Sequence, residues 1–175
     1  MVCIKKRLIL YKLFDMTLDN SKTIINLRIG FFIATIIILA YVALAYVAKL
    51  IKFPFLGMSD TVWTLILVGV WFLLTFMPMF LGYQYIFFSD DGEKIIFRYY
   101  TAGFVGGKKN SVEIDKKSFS GYSVENSLIG LIQKITLLQK FQEGVAKYPP
   151  IYISALSREE RSKVFKSLNL HSSPV

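Results

Sequence analysis

A few residues in this chain have types and spacing that bear on chemistry. The segment Gly103-Phe104-Val105-Gly106-Gly107-Lys108-Lys109 approaches a phosphate-binding loop. Such a loop needs four residues between its first Gly and the Gly-Lys pair, then Ser or Thr, and a helix N-terminus to hold the anion. Here three residues separate Gly103 from Gly107, Lys109 follows Lys108, and the flanking runs read as strands. Nucleotide hydrolysis is therefore rejected. Asp90, Asp91 and Glu93 form a carboxylate group, but they surround Gly92 in a hairpin turn, where Asp is favoured for backbone reasons. The single His171 lies four residues from the end and is expected to be mobile, and with the single Cys3 it cannot assemble a zinc site. No catalytic group, metal site or cofactor is expected.

The chemistry left is electrostatic. Lys108 and Lys109 in a glycine-rich loop, with Lys116, Lys117 and Arg98 nearby, are candidates for contact with an anionic lipid headgroup. A pair of lysines in a flexible loop also simply keeps a hairpin soluble. Nucleic acid is not expected as a partner, because no basic stripe is interleaved with exposed aromatics.

The elements that must position these residues follow from an uneven distribution of apolar residues. The 175 residues are 54% hydrophobic and carry a net charge of +9, a mean hydropathy of +0.47 placing them outside ordinary soluble domains. Residues 29–48, IGFFIATIIILAYVALAYVA, hold no charge over 20 positions, and residues 61–89 hold none over 29. At about 1.5 Å per residue, twenty residues span the roughly 30 Å of a bilayer core. Transmembrane helices are expected over about 29–48 and 62–81, with Arg28, Lys49, Lys52 and Asp60 at their ends and Trp63, Tyr83 and Tyr85 as interfacial aromatics. Pro78 is expected to kink or end the second helix, and Gly30, Ala34 and Gly69 are spaced for close helix contact.

Residues 1–28 carry six Lys or Arg, 49–60 two and 89–175 thirteen, which puts both termini in the cytoplasm. The spans contain no Asp, Glu, Lys, Arg or His, so an independent transporter is not expected. Residues 1–28 read as a basic arm, whose first part, MVCIKKRLILYKLF (1–14), is either an amphipathic helix on an anionic membrane face or a frayed tail. No cleavable signal peptide is expected; Met16 is an alternative start, with Asp19 or Asn20 capping the helix that follows.

Residues 83–175 are long enough for one small domain. Strand-like runs cover 83–89, 94–103, 111–115, 119–125, 131–141 and 149–156, with a further short strand at 126–128 and turns at 90–93 and 142–148. Tyr99 and Tyr100 share a strand, so at least one belongs to the core. Ser157-Arg158-Glu159-Glu160 is a capping box ahead of a helix whose Val164, Phe165 and Leu168 share a face, ending near Asn169.

This order of six or seven antiparallel strands and a helix, behind a two-helix hairpin, resembles the bacterial pleckstrin-homology-like membrane proteins, including the YcxB-like variants. The strand–DDG–strand start, the meander and ISALSREERSKVFKSL carry the resemblance, over about half of the chain. It implies a partly open barrel plugged by its last helix, set in the bacterial inner membrane. It also implies a scaffold for protein or lipid contacts, such as an accessory subunit with a membrane-protein partner, rather than an active site. Partner identity and oligomeric state are not encoded in any motif.

Overall fold

A computed structural model describes residues 16–103, 107–142 and 144–172. The amphipathic-helix reading of the arm falls on residues 1–14 and lies outside the described residues.

The chain opens with β1 (Thr17–Asp19), followed by helix α1 (Ser21–Val42), which continues through a π-helical turn at Ala43–Val47. Together they make 27 residues of apolar helix, and α2 (Asp60–Phe80) adds 21. Both are long and apolar enough to cross a membrane, at about 40 and 32 Å. Their side chains are not a protein core, since Phe32, Leu65 and Leu73 remain 68%, 68% and 64% exposed.

The first helix starts eight residues before the uncharged run. Asp19 explains that start: its Oδ1 accepts hydrogen bonds from Ser21 N and Oγ at 2.9 and 2.5 Å, and these hold its carboxyl below the usual range. Residues 16–28 are thus a strand and two helical turns rather than an arm.

The two helices meet through polar contacts. Trp71 Nε1 donates to Thr35 Oγ1 at 3.0 Å, and the hydroxyls of Tyr41 and Tyr46 lie 3.0 and 2.6 Å from Thr64 Oγ1. This antiparallel register sets Arg28 level with Pro78. The glycines expected at the contact do not make it: a Cβ on Gly30 or Gly69 would meet nothing within 4 Å. The described polar contacts between the helices run instead through Thr35, Trp71, Tyr41, Tyr46 and Thr64.

Pro78 does not end α2 at once; the helix runs to Phe80 and closes in a Schellman motif. Tyr83 N donates to Pro78 O and Gly82 N to Met79 O, at 2.8 and 3.1 Å, with Gly82 at φ +65°. A side chain on Gly82 would also overlap the Tyr152 ring, so the position requires glycine twice over.

Among the described residues the β region is mainly antiparallel, with eight strands in two sheets. β2 (Gln84–Ser89), β3 (Lys94–Thr101) and β4 (Asn110–Asp115) follow β1 in spatial order; β5 (Phe119–Ser127), β6 (Ile132–Phe141) and β7 (Gly144–Lys147) form the second sheet, where β8 (Ile151–Tyr152) also pairs with β6. Period-two alternation sends Ile86, Phe88, Ile95, Phe97, Val112 and Ile114 from the first sheet, and Ile135 and Leu137 from the second, into one core. Helix α3 (Arg158–His171) closes it with Val164 and Leu168. The Ser157–Glu160 capping box forms as expected.

Among the described residues of 83–175 there are seven strands, within the six or seven expected, and β1 is an addition from outside that segment; the bounds differ at three places, each for a local reason. Residues 126 and 127 extend β5 rather than forming a strand of their own. β7 arises where a turn was expected; all of its residues are exposed, so ladder bonds hold it without an apolar pattern. β8 covers two residues of the expected 149–156, because Pro149 and Pro150 lack donors and Ser154 Oγ accepts from Gln133 N in place of a ladder partner. Asn169 does not terminate α3; its Oδ1 accepts from the Tyr122 hydroxyl, and the helix reaches His171.

Candidate helix–sheet junction and basic surface

The junction begins at Asn20, a polar side chain only 1% exposed between β1 and α1. Its Oδ1 accepts from Ile86 N at 2.8 Å and its Nδ2 donates to Gln84 O at 3.0 Å. Its own N–H donates to Ile86 O, and its carbonyl accepts from Ile24 N. One residue thus continues the β1–β2 ladder and starts the helix. Ile24 then packs with Ala102 and Ala155, flanked by Tyr83 and Tyr85. Gln84 ties in the second sheet, its Oε1 accepting from Tyr152 N at 3.0 Å.

Tyr85 stacks on Tyr100, ring centroids 4.7 Å apart. Burial pushes its phenol above the usual range, the charge of Asp19 and the Tyr100 phenol add to this, and Arg98 opposes it. Tyr99 is the tyrosine of the expected pair that enters the core, and burial raises its phenol as well.

The five basic candidates are not brought together. Gly107 lies against Thr101, which pairs with Gln84, so Lys108 and Lys109 emerge at the helix end of the β region. Arg98 is mid-strand, opposite Phe87 and Ser111, its guanidinium 5.8 Å from the Phe87 ring. Lys116 and Lys117 follow β4 at the far end, six strand residues or about 20 Å from Lys109. The Lys116 ammonium is already engaged by the Asp90 carbonyl, while Glu93 and Asp115 line the same cleft as Lys117. Of the five, Lys108 and Lys109 are the pair at the helix end of the β region.

Sequence reading missed Asp90 as more than a turn residue. Its carboxylate is 1% exposed and accepts from Met16 N at 2.7 Å and from the Ser167 hydroxyl; His171 Nε2 lies 3.4 Å away. His171 is thus held in the last turn of α3 rather than mobile. Ser and His both approach the same carboxylate oxygen, so the imidazole does not stand between Ser and Asp as nucleophile activation requires. The group is a clamp joining β1, the β2–β3 turn and α3. Its only sequence signal was an Asp one position ahead of the Asp91-Gly92 pair that the turn itself needs.

Comparison with protein-family models, with curated proteins and with solved structures finds no match to the chain.

Proposed function

We propose that the chain is a membrane-anchored, non-catalytic scaffold or accessory subunit of the bacterial pleckstrin-homology-like kind, holding a partner protein at the cytoplasmic face of the inner membrane. The observation that carries this reading is mechanical. Two helices with exposed apolar side chains are fused, through Asn20 and the Gly82 closure, to a β region packed around its own core. In a bilayer, α2 matches the hydrocarbon thickness, and the longer first helix leaves its initial turns, with Lys22 and Arg28, beside the headgroups. Both termini then lie on the cytoplasmic side. A β region held this rigidly presents its surfaces at a fixed height and orientation.

Partner contact has a natural location. Among the described residues β4 pairs only with β3, so its outer edge has ladder groups that can take an added strand, whereas β5 has α3 packed against it. A photo-crosslinking residue replacing Glu113 on β4 should trap one discrete protein in living cells, and that protein should co-purify stoichiometrically in mild detergent. Recovery of the chain solely as a monomer, with no crosslink at Glu113, contradicts the scaffold reading.

A second reading, a sensor of anionic lipid headgroups, draws support from the position of Lys108 and Lys109 at the helix end. Because β1 belongs to the sheet, the test uses the full chain rather than residues 83–175. In nanodiscs, anionic lipid should raise the melting temperature relative to zwitterionic lipid, and Lys108→Glu with Lys109→Glu should abolish the difference. An identical response in the double variant removes this reading.

A further inference from the structure

The turn joining β5 to β6 is built against the rules for a turn in water. Leu128, Ile129 and Gly130 have φ of +50°, +55° and +84°, and Leu131 N closes the turn on Leu128 O at 3.1 Å. Positive φ at both central positions is the type I′ pattern, for which Asn-Gly is the favoured pair. Here Ile129 takes the Asn position, and a β-branched residue at positive φ is strained. The strain yields no packing within the chain, since Leu128, Ile129 and Leu131 are 62%, 107% and 61% exposed.

Topology locates this tip. The C-terminal end of β6 lies at the far end of the β region, where Gln139 and Lys140 share a cleft with Gly92 and Lys116. β6 therefore starts at the helix end, and Ser127 and Ile132, its last paired residues before the tip, share a small cleft with Met79, Phe80 and Gly82. The tip extends about two strand residues, roughly 7 Å, beyond that pair. Lys134 stands just behind it, opposite Glu125 and 5.1 Å from the Tyr152 ring centroid, and Lys108 and Lys109 emerge at the same end.

We infer that Leu128, Ile129 and Leu131 form a wedge that enters the headgroup–acyl boundary of the leaflet in which α2 ends, a third attachment that fixes the tilt of the β region. The inference rests on the anchoring proposed above. The occupant is lipid, because the tip is continuous with the end of an apolar helix and has lysines behind it, the arrangement of an interfacial anchor.

The test uses the full chain with Cys3→Ser, reconstituted in vesicles of phosphatidylglycerol and phosphatidylethanolamine. An environment-sensitive fluorophore is attached in separate samples at Ile129→Cys, Leu73→Cys and Lys117→Cys. The expected result is blue-shifted emission at positions 129 and 73, with position 129 quenched most by lipids carrying a shallow nitroxide, and no shift at 117. Quenching at 73 without quenching at 129 overturns the wedge and leaves the anchor standing. No quenching at either overturns both. A blue shift at 129 that no nitroxide lipid quenches assigns the tip to a second protein surface and also overturns the wedge. Ile129→Asn should relax the turn, raising the melting temperature in detergent while lowering the quenching of a fluorophore at Leu131→Cys; unchanged quenching there contradicts the role given to Ile129.

Discussion

Replacing Asp90 with alanine is expected to destabilise the β region by about 3–5 kcal/mol, the usual cost of removing one partner from a buried charged hydrogen-bond group. Met16 N–H and the Ser167 hydroxyl lose their acceptor, and His171 loses its neighbour, at a position 1% exposed. Asp90 itself is almost fully buried, so the cost falls on the fold. Asp90→Asn keeps the shape and one acceptor oxygen and should cost only about 1–2 kcal/mol. Urea unfolding followed by far-UV circular dichroism in mild detergent measures both. The apolar helices should persist while strand signal is lost, and amide exchange in α3 should accelerate, because the clamp is its polar link to β1 and the β2–β3 turn. A loss below about 1 kcal/mol for Asp90→Ala would mean that the apolar contacts of Val164 and Leu168 hold α3 unaided.

Asn20→Ala is the second large effect, about 2–4 kcal/mol, from two orphaned backbone groups. Ile86 N–H and Gln84 C=O lose the Asn20 amide at a position only 1% exposed. The consequence reaches past stability, because Asn20 is where strand becomes helix. With the amide gone, the β region should swivel relative to α1, and distance distributions between spin labels at Tyr46→Cys and Ser123→Cys, in a Cys3→Ser background, should broaden. Asn20→Asp keeps the acceptor for Ile86 N–H but sets a carboxylate oxygen against Gln84 O, and should be at least as disruptive as alanine. A narrow, unshifted distribution for Asn20→Ala would show that Ile24, Ala102 and Ala155 suffice to fix the junction.

The contrast between these two residues and the basic loop indicates what the sequence carries openly. Period-two alternation in KIIFRYYT and the uncharged length of IGFFIATIIILAYVALAYVA each state their structure locally, and both elements form. The Ser157–Glu160 box is equally local. Asn20 and Asp90 are different. Each looks like an ordinary cap or turn residue, and its role depends on partners 64 to 77 positions away in the chain. β1 is hidden for the same reason: three residues become a strand only because Ser89, Phe88 and Phe87 offer a ladder. Residue types gave no distance between lysines; only the β3–β4 register reveals that Lys109 and Lys116 lie at opposite ends of a strand. The β5–β6 tip is hidden for a further reason: LIGL lacks the Asn-Gly signal of such a turn, so residues 126–128 read as a strand.

A membrane-anchored scaffold requires the hairpin to cross a bilayer with the β region on the side of the termini. Thiol accessibility in intact cells tests this directly, with Cys3→Ser as background and single cysteines at Ser59→Cys, in the segment between the helices, and at Ser123→Cys on exposed β5. A membrane-impermeant maleimide should label position 59 in intact cells, and position 123 only after the membrane is opened. Equal labelling of both positions in intact cells, or recovery of the chain in the soluble fraction, contradicts the account.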